Sequence, residues 1–300
     1  MLCLRTPAKL SGERMQTYND IYLDTRRKLR AAGITAHDLE ARLIVAHAAG
    51  KTSEELIRSS RLFVPAGTIM RAVDEMIRRR LDGEPVAYIV GEWEFYGIPI
   101  TVNETVLIPR IDTELLAGET IKIARQRGGK LRLLDLCAGS GCVGLAIAVN
   151  VPGCRIVLAD NSEKALAMCR ANMLKNKISR NVTAIEVDVL ETPPALLGTF
   201  DGIISNPPYI PTGELINLDP SVRDYEPVYA LDGGPDGLYF YRAIATNWAS
   251  LLKEDGFIIL ECGLGQAQAV RDILQDSGFC GIRTYIDTLG IERVIAGTFK

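Results

Sequence analysis

Two short segments carry the residue types that could do chemistry. One is Asn206-Pro207-Pro208-Tyr209, which closes the apolar run 200–205. Consecutive prolines fix two φ angles and remove two N–H donors. What remains is a rigid set of acceptors, the Asn206 side-chain oxygen and the Pro207 carbonyl, beside the flat face of Tyr209. Such a set suits a planar NH2 group lying on the ring with both N–H bonds accepted. An amide or aryl-amine nitrogen is a weak nucleophile, because its lone pair is delocalised. Held in line with an electrophile at roughly 3–3.5 Å, with its N–H bonds polarised, it needs no strong base. The bland alternative is an ordinary proline turn.

The second segment holds glycines in place of reactive groups. The apolar run 131–135 leads into Leu136-Cys137-Ala138-Gly139-Ser140-Gly141-Cys142-Val143-Gly144. Glycines at this spacing let the backbone turn tightly and approach a ligand without Cβ interference. The string matches the dinucleotide fingerprint GxGxxG, a weak pattern alone but set here between a strand and a helix. A nicotinamide cofactor would place its pyrophosphate on the helix N-terminus. S-adenosylmethionine has no such group and asks for an acidic residue near the loop to take its ammonium. Asp135 suits that second reading. Asp160 suits both, as a bidentate partner for ribose hydroxyls. Asp188 is placed to take an adenine amine, and Val189 to pack on the ring. For both Asp160 and Asp188 the bland alternative is a helix N-cap or turn. Cys137 and Cys142 flank the loop without a histidine near them in sequence, and read as small packing residues.

These segments need a frame. Helices are expected at 18–31 and 36–49, after a capping box at Thr52 and Glu55, and from Pro65 and Gly67 to Gly83. His37 and His47 fall in the second and read as structural or surface groups. The runs 87–90, 93–96 and 100–107 read as short strands separated by Gly91 and Gly97. Beyond them, strands are expected at 131–136, 155–159, 182–187, 201–205 and 256–261. Helices fall at 143–149, 163–176, 237–252 and 266–277. Two last strands, 282–286 and 292–298, are joined by a turn too short for a helical crossover, so they must be antiparallel. Repeated βα units mean an α/β fold, a parallel sheet covered by helices on both faces. In such sheets ligands bind at the carboxyl ends of the strands, where both chemical segments fall.

Composition narrows the partners. The chain has 300 residues, 47% apolar and 24% charged, enough for a large core without staples. No run reaches the roughly 20 apolar residues that cross a bilayer. Residues 1–10 lack a sustained apolar stretch, so no secretion leader is expected. Seven cysteines without a CxxC pair argue for free thiols in a reducing cytoplasm and against a disulfide framework or a zinc site. A net charge of −3 gives no global push toward nucleic acid or membranes. With two histidines, both early, a histidine-based hydrolase or metal enzyme is poorly supported, and no metal is expected.

Asn206-Pro207-Pro208-Tyr209 resembles the acceptor loop of two groups, adenine-N6 methyltransferases of nucleic acid and glutamine-N5 methyltransferases of release factors. Longer strings separate them. Glu84-Pro85-Val86-Ala87-Tyr88-Ile89-Val90-Gly91, Glu94-Phe95-Tyr96-Gly97 and Val106-Leu107-Ile108-Pro109-Arg110 resemble the PrmC/HemK family of protein-(glutamine-N5) methyltransferases. So do Tyr225-Glu226-Pro227 and Ala230-Leu231-Asp232-Gly233-Gly234-Pro235-Asp236-Gly237-Leu238. The resemblance covers nearly the whole chain. It implies a Rossmann-like S-adenosylmethionine-dependent methyltransferase, with a seven-stranded sheet ending in an antiparallel hairpin, preceded by a small helical domain. The implied layout is a helical release-factor docking domain at 1–85, a β-hairpin linker at 86–108 and a catalytic domain at 109–300.

The resemblance also implies site roles. Cys137, Ala138, Gly139, Ser140, Gly141, Asp160, Asp188, Val189 and Asn206 would hold the cofactor, leaving S-adenosylhomocysteine as product. Asn206, Pro207, Pro208 and Tyr209 would hold the glutamine of a Gly-Gly-Gln loop in class 1 peptide-chain release factors. Phe95, Tyr96 and Arg110 would line the pocket. A cytoplasmic monomer without direct nucleic-acid contact is expected. The sequence departs from the family pattern at Ile111, where proline is usual, at Cys262, where an aliphatic is common, and at Cys137, where many members have glycine.

Rival classes are weaker. A nucleic-acid enzyme would need a basic groove, whereas the stretch 219–226 is acidic and Arg78-Arg79-Arg80 reads as a solvated helix end. A nicotinamide oxidoreductase has no use for the Asn-Pro-Pro-Tyr loop. A non-catalytic binding protein would be expected to have lost Asn206 or Asp160.

Overall fold

Thr17 and Thr52 open helices by the same device. Each hydroxyl accepts the backbone N–H three residues on, and Asp20 or Glu55 accepts the threonine's own N–H in return. Both satisfy donors that a helix start leaves orphaned. The computed structural model describes residues 15–300, so the expectation for 1–10 lies outside the described residues. Contacts divide the chain into two compact units, Met1–Val90 and Gly91–Lys300.

The first unit contains β1 (Met15–Thr17), α1 (Tyr18–Ala31), α2 (His37–Ala48), α3 (Ser53–Arg58), β2 (Phe63–Pro65), α4 (Ala66–Leu81) and α5 (Val86–Val90). Ile21, Leu29, Ile44, Val45 and Val73 form its fully buried centre. β1 and β2 pair antiparallel, which no periodicity in three-residue strands could announce. The run 87–90, expected as a strand, is α5, with all five residues buried. A short apolar run does not reveal its own period, and Pro85 starts the helix by accepting the Tyr88 and Ile89 N–H groups. The arginine triplet is consumed by ion pairs, Arg78 with Glu75 and Asp82, Arg79 with Glu84, and Arg80 with Glu40. His37 is half-buried and His47 exposed.

The second unit opens with an antiparallel hairpin, β3 (Glu92–Phe95) and β4 (Ile98–Thr101). The strand expected at 100–107 stops at Thr101. Residues 86–108 are therefore divided between the two units, with the hairpin grouped in the second. α6 (Thr113–Gln126) follows, a helix not read from the sequence. Then come β5 (Arg132–Leu136), α7 (Cys142–Asn150), β6 (Arg155–Asp160), α8 (Glu163–Lys175), β7 (Val182–Glu186), β8 (Phe200–Ser205) and α9 (Pro220–Arg223). Last are α10 (Tyr239–Thr246), β9 (Leu252–Glu261), α11 (Ala267–Asp276), β10 (Phe279–Ile286) and β11 (Glu292–Phe299). The helix expected at 237–252 ends early, in a 3-10 turn at Trp248–Leu251.

The sheet runs β10-β11-β9-β8-β5-β6-β7. β5 to β9 are parallel, and β11 is antiparallel to both β9 and β10. The seven-stranded α/β sheet with an antiparallel last hairpin is thus present. Its central strands are buried on both faces, which is why they read as continuous apolar runs. Among the described residues, no helix is long and apolar enough to cross a membrane.

Candidate active site

β5 and β8 are neighbours although α7, β6, α8 and β7 separate them along the chain. Their last residues, Leu136 and Ser205, stand opposite each other, and the Ser205 hydroxyl donates to the Leu136 carbonyl at 2.7 Å. The order reverses between these strands, so the loops after them diverge and leave a crevice. Both chemical segments begin there, at Cys137 and at Asn206. A cavity opens at this point. Of the residues expected from the sequence, Cys137, Gly139, Asp160, Val189, Asn206 and Pro208 line it.

The loop after β5 is held mostly through backbone groups. The Gly139 N–H donates to Asp160 Oδ2 at 2.8 Å, and the Ser162 N–H donates to Oδ1 at 3.0 Å. Asp160 is therefore a turn residue and a cavity residue at once, with acceptor capacity left on each oxygen. Burial pushes its carboxyl above the usual range, against the pull of these backbone bonds. Ala138 is buried and donates its N–H to the Ala159 carbonyl. Gly141 closes the turn by donating to the Ala138 carbonyl at 2.7 Å. The Ser140 carbonyl accepts from the Asn172 amide, which also bonds both backbone groups of Thr101. Asn172, fully buried in α8, thus fastens the hairpin to the loop. Nothing in the sequence marked it.

Asp135 departs from its expected role. It does not reach the cavity wall but lies behind the loop, 2% exposed, with Oδ2 accepting the Gly144 N–H at 2.9 Å. Burial pushes its carboxyl up to about 7. It braces the start of α7, a donor-rich helix end that favours a carboxylate. Gly144 makes the close packing possible. A Cβ there would stand 2.4 Å from Leu158 Cδ2 and 2.9 Å from Asp135 Oδ2. Cys137 sits at φ +57, left-handed backbone that explains why glycine is common at this place. Burial pushes its thiol well above the ordinary value, which makes it a packing group and not a nucleophile.

After β7, Val187 and Val189 reach the cavity while Asp188 does not. The Asp188 Oδ1 accepts the Leu190 N–H at 2.9 Å, a local turn. Buried Trp248 fixes this corner by donating from its indole to the Val189 carbonyl at 2.8 Å.

The loop after β8 is held differently. The Asn206 Nδ2 donates to Thr113 Oγ1 at 3.1 Å, so the amide nitrogen faces the first residue of α6. Pro207 and Pro208 are buried. The Tyr209 carbonyl accepts from Gln266 Nε2 at 2.8 Å, and Gln266 Oε1 accepts the Gly263 N–H. Gly237 lies against the same carbonyl at φ +73, where a Cβ would stand 2.3 Å from the Tyr209 oxygen. This gives the glycine-rich string 230–238 a physical reason. Burial pushes the Tyr209 phenol up to about 12, so it stays neutral.

Of the residues expected at the substrate, Phe95, Tyr96, Arg110, Pro207 and Tyr209 do not line the cavity. Phe95 is 1% exposed in the core beside its hairpin. Arg110 is turned to Glu226, pairing at 2.5 Å, while the second oxygen of Glu226 accepts the Ile108 N–H at 3.1 Å. Glu226 is buried, so this end of the acidic stretch 219–226 is a structural brace and not surface charge. Ile111 is 81% exposed, so the position of the missing proline is free of packing. The cavity is lined as well by Thr105, Val106, Leu107, Tyr229, Ala230 and Phe240. Tyr229 fastens this lining by donating to the Thr105 carbonyl at 2.5 Å. Its only sequence signal was that the strings 106–110 and 230–238 flank it in space, which spacing does not reveal.

Comparison with known proteins agrees with this geometry. Residues 20–91 match the family described as PrmC N-terminal domain, and residues 113–217 match Methyltransferase small domain. The release factor glutamine methyltransferase of Thermodesulfovibrio yellowstonii is 43% identical over 74% of this chain and 79% of its own length. That of Agrobacterium fabrum is 34% identical over 97% of this chain and 100% of its own length. Among solved structures, the hMettl16 catalytic domain in complex with MAT2A 3'UTR hairpin 6 shares the fold. It has a TM-score of 0.55 and 15% identity over 68% of this chain and 77% of that one. With relatives this similar over nearly their full length, the chain belongs to the release factor glutamine methyltransferase family.

Proposed function

We propose that this chain transfers a methyl group from S-adenosylmethionine to the side-chain amide nitrogen of the glutamine in the Gly-Gly-Gln loop of class 1 release factors. The observation that carries this reading is the Asn206 amide. Its nitrogen is engaged by Thr113, which leaves its oxygen as the group to meet an acceptor N–H at a cavity shared with Asp160.

The cavity fits the cofactor. Asp160 has spare lone pairs for ribose hydroxyls, Val187 and Val189 offer an apolar face for an adenine ring, and the backbone at Gly139 comes close without a side chain. When bound, S-adenosylmethionine supplies an electrophilic methyl group on a sulfonium centre. Asn206 Oδ1 and the Pro207 carbonyl accept the two N–H bonds of the acceptor amide and draw electron density onto its nitrogen. Buried Pro207 and Pro208 keep these acceptors from relaxing away. Tyr209 gives the amide plane a surface, and its neutral phenol adds no charge. Orientation and polarisation replace a base during the attack, and one N–H proton passes from the amide to solvent as the N–C bond forms and the sulfonium becomes a neutral thioether.

The unit before Gly91 is the docking module for the release factor. The chain works as a cytoplasmic monomer and makes no direct contact with nucleic acid. Pairing of Arg78, Arg79 and Arg80 with carboxylates supports the last point, since their charge is already neutralised.

The test uses methyl-labelled cofactor with three substrates in parallel, a class 1 release factor, its Gly-Gly-Gln glutamine→alanine variant, and DNA or RNA. Label is expected on the intact release factor alone. Label on nucleic acid with none on the release factor would overturn the assignment.

A further inference from the structure

β9 ends beside the acceptor loop, and its last residue is a glutamate that the reaction as described does not use. Ser205 of β8 stands opposite Leu260 of β9. Asn206 and Glu261, each one residue further, are therefore neighbours at the carboxyl edge of the sheet. Glu261 is 2% exposed, and its Oε2 is buried without a hydrogen-bond partner. The Thr113 hydroxyl and the Asn206 amide both lie within reach of the carboxyl and stabilise its charged form. A buried carboxylate with an orphaned oxygen is costly, and here it stands directly behind the residue that holds the acceptor.

An asparagine amide is nearly symmetric in shape, and only its hydrogen bonds tell oxygen from nitrogen. If Asn206 flipped, it would present N–H to the acceptor N–H, and the two would repel. Thr113 cannot prevent this alone, because a hydroxyl rotates to donate or accept. An ionised carboxylate only accepts. With Glu261 behind it, the Thr113 hydroxyl turns its proton toward the carboxylate and its lone pair toward Asn206 Nδ2, the direction seen at 3.1 Å.

We propose that Glu261 is a positioning residue for methyl transfer. Its carboxylate sets the direction of the chain Asn206 to Thr113 to Glu261, so that Asn206 Oδ1 alone is presented to the acceptor amide. The inference rests on the acceptor role given to Asn206 above and adds the group that orients it.

The ionisation of Glu261 follows from its surroundings. Burial pushes its carboxyl up to about 7, opposed by Thr113, by Arg293 on β11 and by Asn206, and reinforced by Asp112 before α6. Tyr209, Tyr241 on α10 and Cys262, just past the end of β9, also face it. All three are held neutral by burial, which raises each of them. The orienting form is the carboxylate, so turnover is present above about 7 and falls as pH drops through that value.

The experiment measures kcat on a release factor against pH, together with cofactor affinity by calorimetry, for wild type, Glu261→Gln, Thr113→Val and Thr113→Ser. Glu261→Gln is expected to lower kcat about 10- to 100-fold, to remove the acid limb and to leave cofactor affinity unchanged. Thr113→Val should fall similarly, and Thr113→Ser should recover, which separates orientation from folding even if Glu261→Gln is unstable. A Glu261→Gln enzyme with wild-type kcat and an intact acid limb would overturn the inference. So would a Thr113→Val enzyme as active as wild type. Absence of transfer by the wild-type chain would overturn the acceptor reading itself, a distinct result.

Discussion

The two halves of the site are built on different principles. The cofactor half comes from one continuous stretch, β5 to the turn after β7, and it is held by backbone N–H groups on nearby carboxylates, Gly139 on Asp160 and Gly144 on Asp135. The acceptor half takes four residues, Asn206 to Tyr209, and holds them with groups from distant parts of the chain. Thr113 begins α6, Glu261 ends β9, Gln266 precedes α11 and Gly237 precedes α10. A ligand-binding turn can be specified largely within one stretch, because its glycine–aspartate bonds join residues only 21 and 9 positions apart. An amide that must present one particular atom needs polarity set from behind, and only tertiary structure supplies that.

This contrast predicts separable losses. The largest belongs to Asn206→Ala, which should lower kcat about 10²- to 10³-fold while cofactor affinity, read by calorimetry, stays within about tenfold. Equal loss of both would erase the distinction between the halves. Asp160→Ala should do the reverse. Cofactor binding should weaken by about 1–3 kcal/mol, with kcat recovering at saturation. An unchanged affinity would remove Asp160 from the cofactor site.

Gly237→Ala presses a Cβ onto the Tyr209 carbonyl. It should cost about 1–3 kcal/mol in denaturant unfolding, and the surviving folded enzyme should lose acceptor turnover before cofactor affinity. The smallest effect belongs to Cys137→Gly. Relief of the left-handed conformation, about 1 kcal/mol, is offset by a more flexible unfolded chain. Unfolding energy should shift by less than about 1 kcal/mol and methyl transfer should persist. Loss of transfer would mean that the thiol acts in the reaction.

The same contrast explains what could be read in advance. The seven strands and the antiparallel last hairpin were legible, because buried parallel strands are continuous apolar runs and a short turn forbids a crossover. Asp160 and the Asn206 loop were legible by type and place. Asp135 was placed at the ligand because it is an acidic group just before the loop that could take an ammonium, whereas alternation along β5 turns its side chain toward Gly144. Phe95 and Arg110 were carried along with the strings around them. Strings do not say which side chain faces the cavity and which faces Glu226. α5 was misread because a five-residue apolar run fits either period. Thr113, Asn172, Glu261 and Tyr229 were not singled out at all, since each matters only through a partner far along the chain.

The most direct test is to locate the methyl group. A class 1 release factor incubated with the protein and S-adenosylmethionine, then digested, should yield one modified peptide. Fragmentation should place a single methyl on the side-chain amide of the Gly-Gly-Gln glutamine. A methyl on any other residue, or an unmodified Gly-Gly-Gln peptide beside labelled nucleic acid, would contradict the assignment of Asn206 as the holder of a glutamine amide.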